Sequence, residues 1–228
     1  MKGIVIAGPT GVGKTDLSIK LAKLFDAEII SGDSAQIYKG MDIGTAKIKP
    51  CEMQGVKHHM IDILEPIKKY SVGEFQKDVG NILNESEKDN KNMIIAGGTG
   101  LYINSVTNGL ANLPEGNMKL REKYMKMSAE ELYLILSKVD PEAAQEIHPN
   151  NKKRVERAIE IFEMTGEKFS VLSKKNIKNN NYDFLKIALE RDREHLYERI
   201  NLRVDLMVKE GLEQEVKFLY EKYGDILR

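Results

Sequence analysis

The sequence predicts an α/β fold: a parallel sheet with flanking helices, interrupted by an all-helical insertion. Three observations predict it. Short apolar, β-branched runs alternate with helical spacings over residues 1–114. A glycine-rich loop ending in Gly13-Lys14-Thr15 separates the first run from the first helical spacing. After Pro114 only helical spacing is found, and strand character returns near Phe184. The boundaries read in this way are a core of residues 1–114 and 182–228 and an insertion of residues 115–181.

The elements follow in order. Ile4-Val5-Ile6-Ala7 is β-branched at three of four positions and stops at glycine, as a buried parallel strand does. Leu17, Leu21 and Leu24 recur at helical spacing within residues 14–25. Ala27 to Ile30 reads as a second strand, and Ser31 to Lys47 as a long polar loop of the kind that carries function. Met60 to Leu64 reads as a strand, Val72 to Glu87 as a helix, and Met93 to Ala96 as a strand ending in Gly97-Gly98. Helical patterns fill residues 119–173, and an Asn- and Lys-rich surface loop is expected over 174–181. Phe184 to Leu189 reads as the last strand and residues 192–208 as a helix.

Composition narrows the class. The chain has 228 residues, enough for a core without staples, and its 35 basic residues balance 35 acidic ones. Nucleic-acid binding is therefore not signalled by net charge and would need a local basic patch. Cys51 is the only cysteine, which excludes an internal disulfide and a cysteine metal cluster. No apolar run approaches the roughly 18 residues of a membrane span. The chain enters a strand-like run directly after Met1-Lys2-Gly3, so a cytoplasmic protein without a signal peptide is expected.

The loop Gly8-Pro9-Thr10-Gly11-Val12-Gly13-Lys14-Thr15 fits G-x-x-x-x-G-K-[ST] and sits between a strand and a helix, where the mechanism needs it. Glycines let backbone N–H groups wrap a phosphate, and the helix start adds partial positive charge. Lys14 supplies a point charge, and the Thr15 hydroxyl is suited to hold Mg²⁺. The core is thus expected to be P-loop NTPase-like and to bind a di- or triphosphate. Asp33 follows the second strand, at the sheet edge where ligands bind. It is placed either to take a proton from a nucleophile or to close an Asx-turn or cap a helix. Thr99, within Gly97-Gly98-Thr99-Gly100, lies at the same edge, where it contacts a ligand, caps a helix, or does both.

Arg199 and Arg203 share a helix face with mostly apolar neighbours and no acid in reach on their own helix. Their partner is either a bound pyrophosphate or an acid on another element. In the insertion, Lys153, Arg154 and Arg157 cluster near a helix start that Asn150 or Asn151 can cap. A pairing of Arg157 with Glu160 at i+3 is the simpler explanation, and a polynucleotide backbone the alternative. His58-His59 has no third ligand nearby and is read as structural.

Taken together, several blocks resemble the tRNA dimethylallyltransferases. They are the 8–15 loop, Asp33-Ser34-Ala35-Gln36-Ile37-Tyr38 continuing to Lys47, His59 with Asp62, Gly97 to Tyr102, and His148-Pro149-Asn150 with Arg154 and Arg157. The resemblance implies that the N6 amine of adenosine 37, beside the tRNA anticodon, attacks C1 of dimethylallyl diphosphate and that pyrophosphate leaves. It implies Asp33 as general base, Thr99 at the reacting centre, and Lys14, Thr15, Mg²⁺ and Arg203 on the pyrophosphate. It implies tRNA contacts at Asp33, Ser34, Ala35, Gln36, Thr99, Arg121, Lys153, Arg154, Val155, Glu156 and Arg157, in a monomer. Family members also continue past the end of this chain, so a glycine–tyrosine motif and a basic segment are expected to be missing from it. The competing readings are a small-molecule kinase, an adenylate isopentenyltransferase and a catalytically inactive binding protein. The 33–47 block and the helical insertion argue against the first, and the His-Pro-Asn helix against the second.

Overall fold

The computed structural model describes residues 2–175 and 182–224. The loop expected over 174–181 therefore falls outside the described residues from 176 onward. In chain order the elements are β1 (Lys2–Ala7), α1 (Lys14–Phe25), β2 (Ala27–Ser31), β3 (His58–His59), α2 (Val72–Lys88), β4 (Asn92–Gly97) and α3 (Gly100–Thr107). Then come α4 (Met118–Met125), α5 (Ala129–Val139), α6 (Pro141–Glu146), α7 (Lys152–Thr165) and α8 (Phe169–Leu172). β5 (Asp183–Ala188), α9 (Arg193–Glu210) and α10 (Leu212–Tyr223) follow. They form two compact units: Met1–Thr107 with Asn180–Arg228, and Asn108–Asn179.

The first unit is mixed α/β. Its sheet runs β3-β2-β4-β1-β5 with every pairing parallel. Alternation along the central strands sends side chains to both faces. Val5, Ile30 and Ile95 join Phe75, Val79 and Leu83 of α2 and Ile103 of α3 in one core. Ile6, Ile29 and Ile94 join Ile19 and Ala22 of α1 in another. Helix α2 starts on a capping box, Ser71 with Glu74, and buries Phe75, Val79 and Leu83 at four-residue spacing. Because the sheet is covered on both faces, the β1, β2 and β4 carboxyl ends are left to form a site.

One strand differs from expectation. Met60 to Leu64 leaves the sheet after the two-residue β3, retaining only a bridge from Leu64 to Tyr38. Met60 (φ 63°) and Asp62 (φ 54°) are left-handed, a conformation no strand can hold.

The second unit is helical among its described residues. Tyr124, Leu132, Leu136, Val155, Ala158 and Ile159 form its core. Asp140, fully buried, caps α6 through Ala143 N–H (3.2 Å) and accepts from the Ser170 N–H (2.8 Å) and hydroxyl (2.7 Å). Burial pushes its carboxyl up, but these bonds outweigh that and hold it below the ordinary value.

Candidate active site

The 8–15 loop joins β1 to α1 with Gly8, Gly11 and Gly13 at positive φ. Gly13 is the N-cap of α1 at φ 109°, and no side chain caps this helix start. Its first N–H groups thus face the loop's mouth, an arrangement suited to an anion. Lys14 Nζ donates to the carbonyls of Gly8 (2.9 Å) and Pro9 (2.8 Å), which draws the lysine across the loop. Burial pulls its pKa down, as does Arg203, while the Asp33 charge raises it.

A helix from a distant part of the chain completes the site. Helix α9 lies over the loop with Leu196, Arg199 and Ile200 nearest Gly11. Arg199 Nε donates to the Gly11 carbonyl at 2.7 Å. Arg203, one turn on and half-buried, donates to the Thr45 carbonyl at 3.4 Å. Burial lowers the Arg203 pKa and Asp33 raises it, so the two side chains share one electrostatic environment. Among the described residues neither arginine forms an ion pair, which leaves the guanidinium groups facing a cavity of about 690 Å³. Lys14, Lys20, Lys23, Arg199 and Arg203 line it against Asp16 and Glu52, and Thr15 lies in its wall.

Asp33 follows β2 and Thr99 follows β4 at the carboxyl edge of the sheet, and neither is among the residues that line this cavity. Gly97 abuts the end of β2 so closely that a Cβ there would lie 2.3 Å from the Gly32 oxygen. The same approach brings Gly98 next to Lys14, whose Nζ would be 3.8 Å from an added methyl. The Asp33 carboxylate accepts from Ala35 N–H (2.9 Å), closing an Asx-turn. Among the described residues no N–H of α3 donates to the Thr99 side chain. Its hydroxyl accepts from the Ser34 N–H (3.2 Å) and meets the Ser34 hydroxyl at 3.4 Å. Ser31 donates to Gln36 Oε1 (2.9 Å), and Gln36 Nε2 donates to the Thr45 and Ala46 carbonyls (3.4 Å each).

Sequence reasoning missed what holds the 33–47 loop. Lys47 is buried and donates to the Tyr38 carbonyl (2.6 Å), Asp42 (2.6 Å) and Asp62. Glu215 of α10 accepts from three consecutive N–H groups, Asp42 (2.8 Å), Ile43 (2.7 Å) and Gly44 (2.9 Å). A signal existed: Leu212, Glu215 and Leu219 share a helix face, and Leu212 and Leu219 are apolar. His59 Nε2 contacts the Glu28 carboxylate at 2.6 Å, and no three His, Cys, Asp or Glu among the described residues are grouped to hold a metal.

In the helical unit, Lys153 and Arg154 are exposed at the start of α7, while Val155 is fully buried. Glu156 lies 3.9 Å from Lys152. Glu160 is buried and accepts from Arg121 Nε (3.0 Å), Asn117 N–H (2.7 Å) and Arg157, which also donates to the Pro114 carbonyl. Burial pushes Glu160 up, but Arg121 and Arg157 outweigh it and keep the carboxyl below its ordinary value. The i+3 pairing expected of Arg157 is therefore made, and it recruits Arg121 as well.

Fold and site together define a mixed α/β protein with a glycine-rich loop after its first strand and a cationic cavity completed by helix α9. Residues 36–227 match the IPP transferase family. The chain belongs to that family of tRNA-modifying prenyltransferases. It is 62% identical over 226 residues to a tRNA dimethylallyltransferase of Fusobacterium nucleatum, spanning 99% of this chain and 74% of that one. Identity to the Bacillus subtilis tRNA dimethylallyltransferase is 50% over 224 residues, 96% of this chain and 71% of the relative. A solved tRNA isopentenylpyrophosphate transferase of Staphylococcus epidermidis superposes with TM-score 0.66 at 44% identity, covering 98% of this chain and 75% of that one. A eukaryotic dimethylallyltransferase captured acting on tRNA superposes with TM-score 0.84 at 34% identity, covering 97% and 56%. No helix among the described residues is long and apolar enough to cross a membrane.

Proposed function

We propose that this chain transfers the dimethylallyl group of dimethylallyl diphosphate to N6 of adenosine 37 in tRNA, releasing pyrophosphate. The observation that carries it is the cavity that Lys14 and Arg203 line together, two cations at the end of β1, with the Asp33 carboxylate following β2 on the same sheet edge and acting on the charge of both. The pairing separates two tasks: cations bind the leaving group, and the carboxylate serves the nucleophile.

In this reading the first unit is a P-loop NTPase-like core whose loop receives a leaving diphosphate. Backbone N–H groups of residues 10–15, with Lys14 and Arg203, take up the charge that develops as the C1–O bond breaks. Lys14 exchanges its two carbonyl acceptors for phosphate oxygens. N6 supplies the electron pair of the new C–N bond, and its proton passes to Asp33. Thr99 holds the Ser34 turn against that centre. Thr15 fits Mg²⁺, because it lines the cavity with a hydroxyl and Mg²⁺ commonly takes one or two protein oxygens with substrate phosphates. Mg²⁺ bound there would neutralise diphosphate charge.

For tRNA, Asp33, Ser34, Ala35, Gln36 and Thr99 would contact the target nucleotide from the core, with adenosine 37 flipped from its stack. Arg121, Lys153, Arg154, Glu156 and Arg157 would meet the backbone from an inserted helical domain, and Val155 only through its main chain. The chain would act as a cytoplasmic monomer. Mapping modified tRNA by nuclease digestion and mass spectrometry tests the assignment. An isopentenyl adenosine at position 37 is expected, and modification at any other position contradicts it.

A further inference from the structure

We propose that Glu215 is a positioning residue for the diphosphate end of the site, acting through the turn at residues 42–44 on Arg203. This rests on the reading of Arg203 given above. The carboxylate is not merely near the loop. Oε2 takes the N–H groups of Asp42 and Ile43, and Oε1 takes that of Gly44. Three successive N–H groups aimed at one point form an anion nest, a backbone shape that closes only around negative charge. Here the charge comes from a side chain 171 to 173 positions away in sequence.

The next residue, Thr45, is where this matters. Its hydroxyl donates to the Met41 carbonyl at 2.6 Å, fixing the turn internally. Its own carbonyl receives both Arg203 Nη2 and Gln36 Nε2. The peptide that Glu215 immobilises is thus continuous with the acceptor that aims the arginine. Arg203 has no ion pair among the described residues, so this carbonyl is what orients a guanidinium otherwise facing the cavity. Leu212 and Leu219 press α10 on either side of the carboxylate, near Gly44 and Gly40. Lys47 ties the loop from within but touches neither Arg203 nor its acceptor.

Binding of inorganic pyrophosphate, measured by calorimetry, tests the inference without requiring transfer activity. Glu215→Gln keeps the shape but replaces one acceptor oxygen with an NH₂ that opposes backbone donors. It is expected to weaken pyrophosphate about tenfold. Arg203→Lys is expected to weaken it similarly, because lysine cannot keep the same forked geometry. The double variant is expected to be no worse than about the single Arg203→Lys, since both changes act on one arginine. If Glu215→Gln melts well below the parent, Gly44→Ala opens the same joint from the other side. Its methyl would lie 3.2 Å from Leu212 Cδ1 and 3.5 Å from Glu215 Oε1. A variant that keeps parental pyrophosphate affinity overturns the proposal. So do losses that multiply in the double variant, and so does a parent protein that binds no pyrophosphate. If pyrophosphate affinity falls as expected while the parent transfers no prenyl group to tRNA, the function proposed above fails and the role of Glu215 stands.

Discussion

Asp33 has two oxygens with different employment. One closes the turn by accepting from Ala35, and among the described residues the second has no protein donor. Asp33→Asn keeps the turn acceptor and removes the base, so it isolates chemistry from loop structure. Transfer is expected to fall by about 10² to 10⁴-fold with tRNA affinity retained, read from single-turnover rates and filter binding. Turnover near that of the parent would remove Asp33 from the mechanism. The alternatives left open at Asp33 in the sequence are not exclusive, because the Asx-turn occupies only one oxygen. The placement of Asp33 and Lys14 at the carboxyl ends of strands, and of Arg203 on a helix face without an acid partner, was legible from local pattern. For Glu215 the spacing of Leu212 and Leu219 marked only the helix face, and for Lys47 local pattern gave no sign; the partners of both are fixed by the fold.

The secondary-structure elements are held by close approaches as much as by apolar stripes. Gly97 of β4 is the clearest case, since an added Cβ would lie within 2.6 Å of three Gly32 backbone atoms. Backbone cannot rotate away as a side chain can, so Gly97→Ala is expected to cost at least the roughly 1–3 kcal/mol of overpacking. A urea unfolding midpoint measures it, and an unchanged midpoint would mean that the two loops do not meet this way. In the helical unit, Asp140 and Glu160 both titrate below their ordinary values. A depressed folded pKa stabilises above the unfolded pKa and is lost as pH falls through the folded one. The helical unit is therefore expected to lose stability below about pH 4. Asp140→Asn or Glu160→Gln should flatten that decline in a circular dichroism titration. Helices α1 and α2 were readable because apolar residues recur along them at helical spacing. The third strand was misread over 60–64 because its apolar residues mimic a strand while Met60 and Asp62 turn left-handed.

Across the whole molecule, the balanced charge of 35 basic and 35 acidic residues hides how unevenly charge is placed. Cations gather around the 8–15 loop and at the start of α7, in different units. The overall α/β class and the change to helix after Pro114 were legible, because alternation of short apolar runs with helical spacing has few other solutions. A G-x-x-x-x-G-K-[ST] loop alone also suits ATP-dependent phosphoryl transfer, and the fate of the phosphates separates the two chemistries. Prenyl transfer should proceed without ATP and release one pyrophosphate per product, with no orthophosphate. The most direct test offers the protein dimethylallyl diphosphate labelled in its dimethylallyl carbons, with unmodified tRNA, AMP and ATP in the same reaction. Label is expected in tRNA, matched by an equal amount of pyrophosphate and none in AMP. Label in AMP, or none transferred while ATP is hydrolysed, would contradict the account.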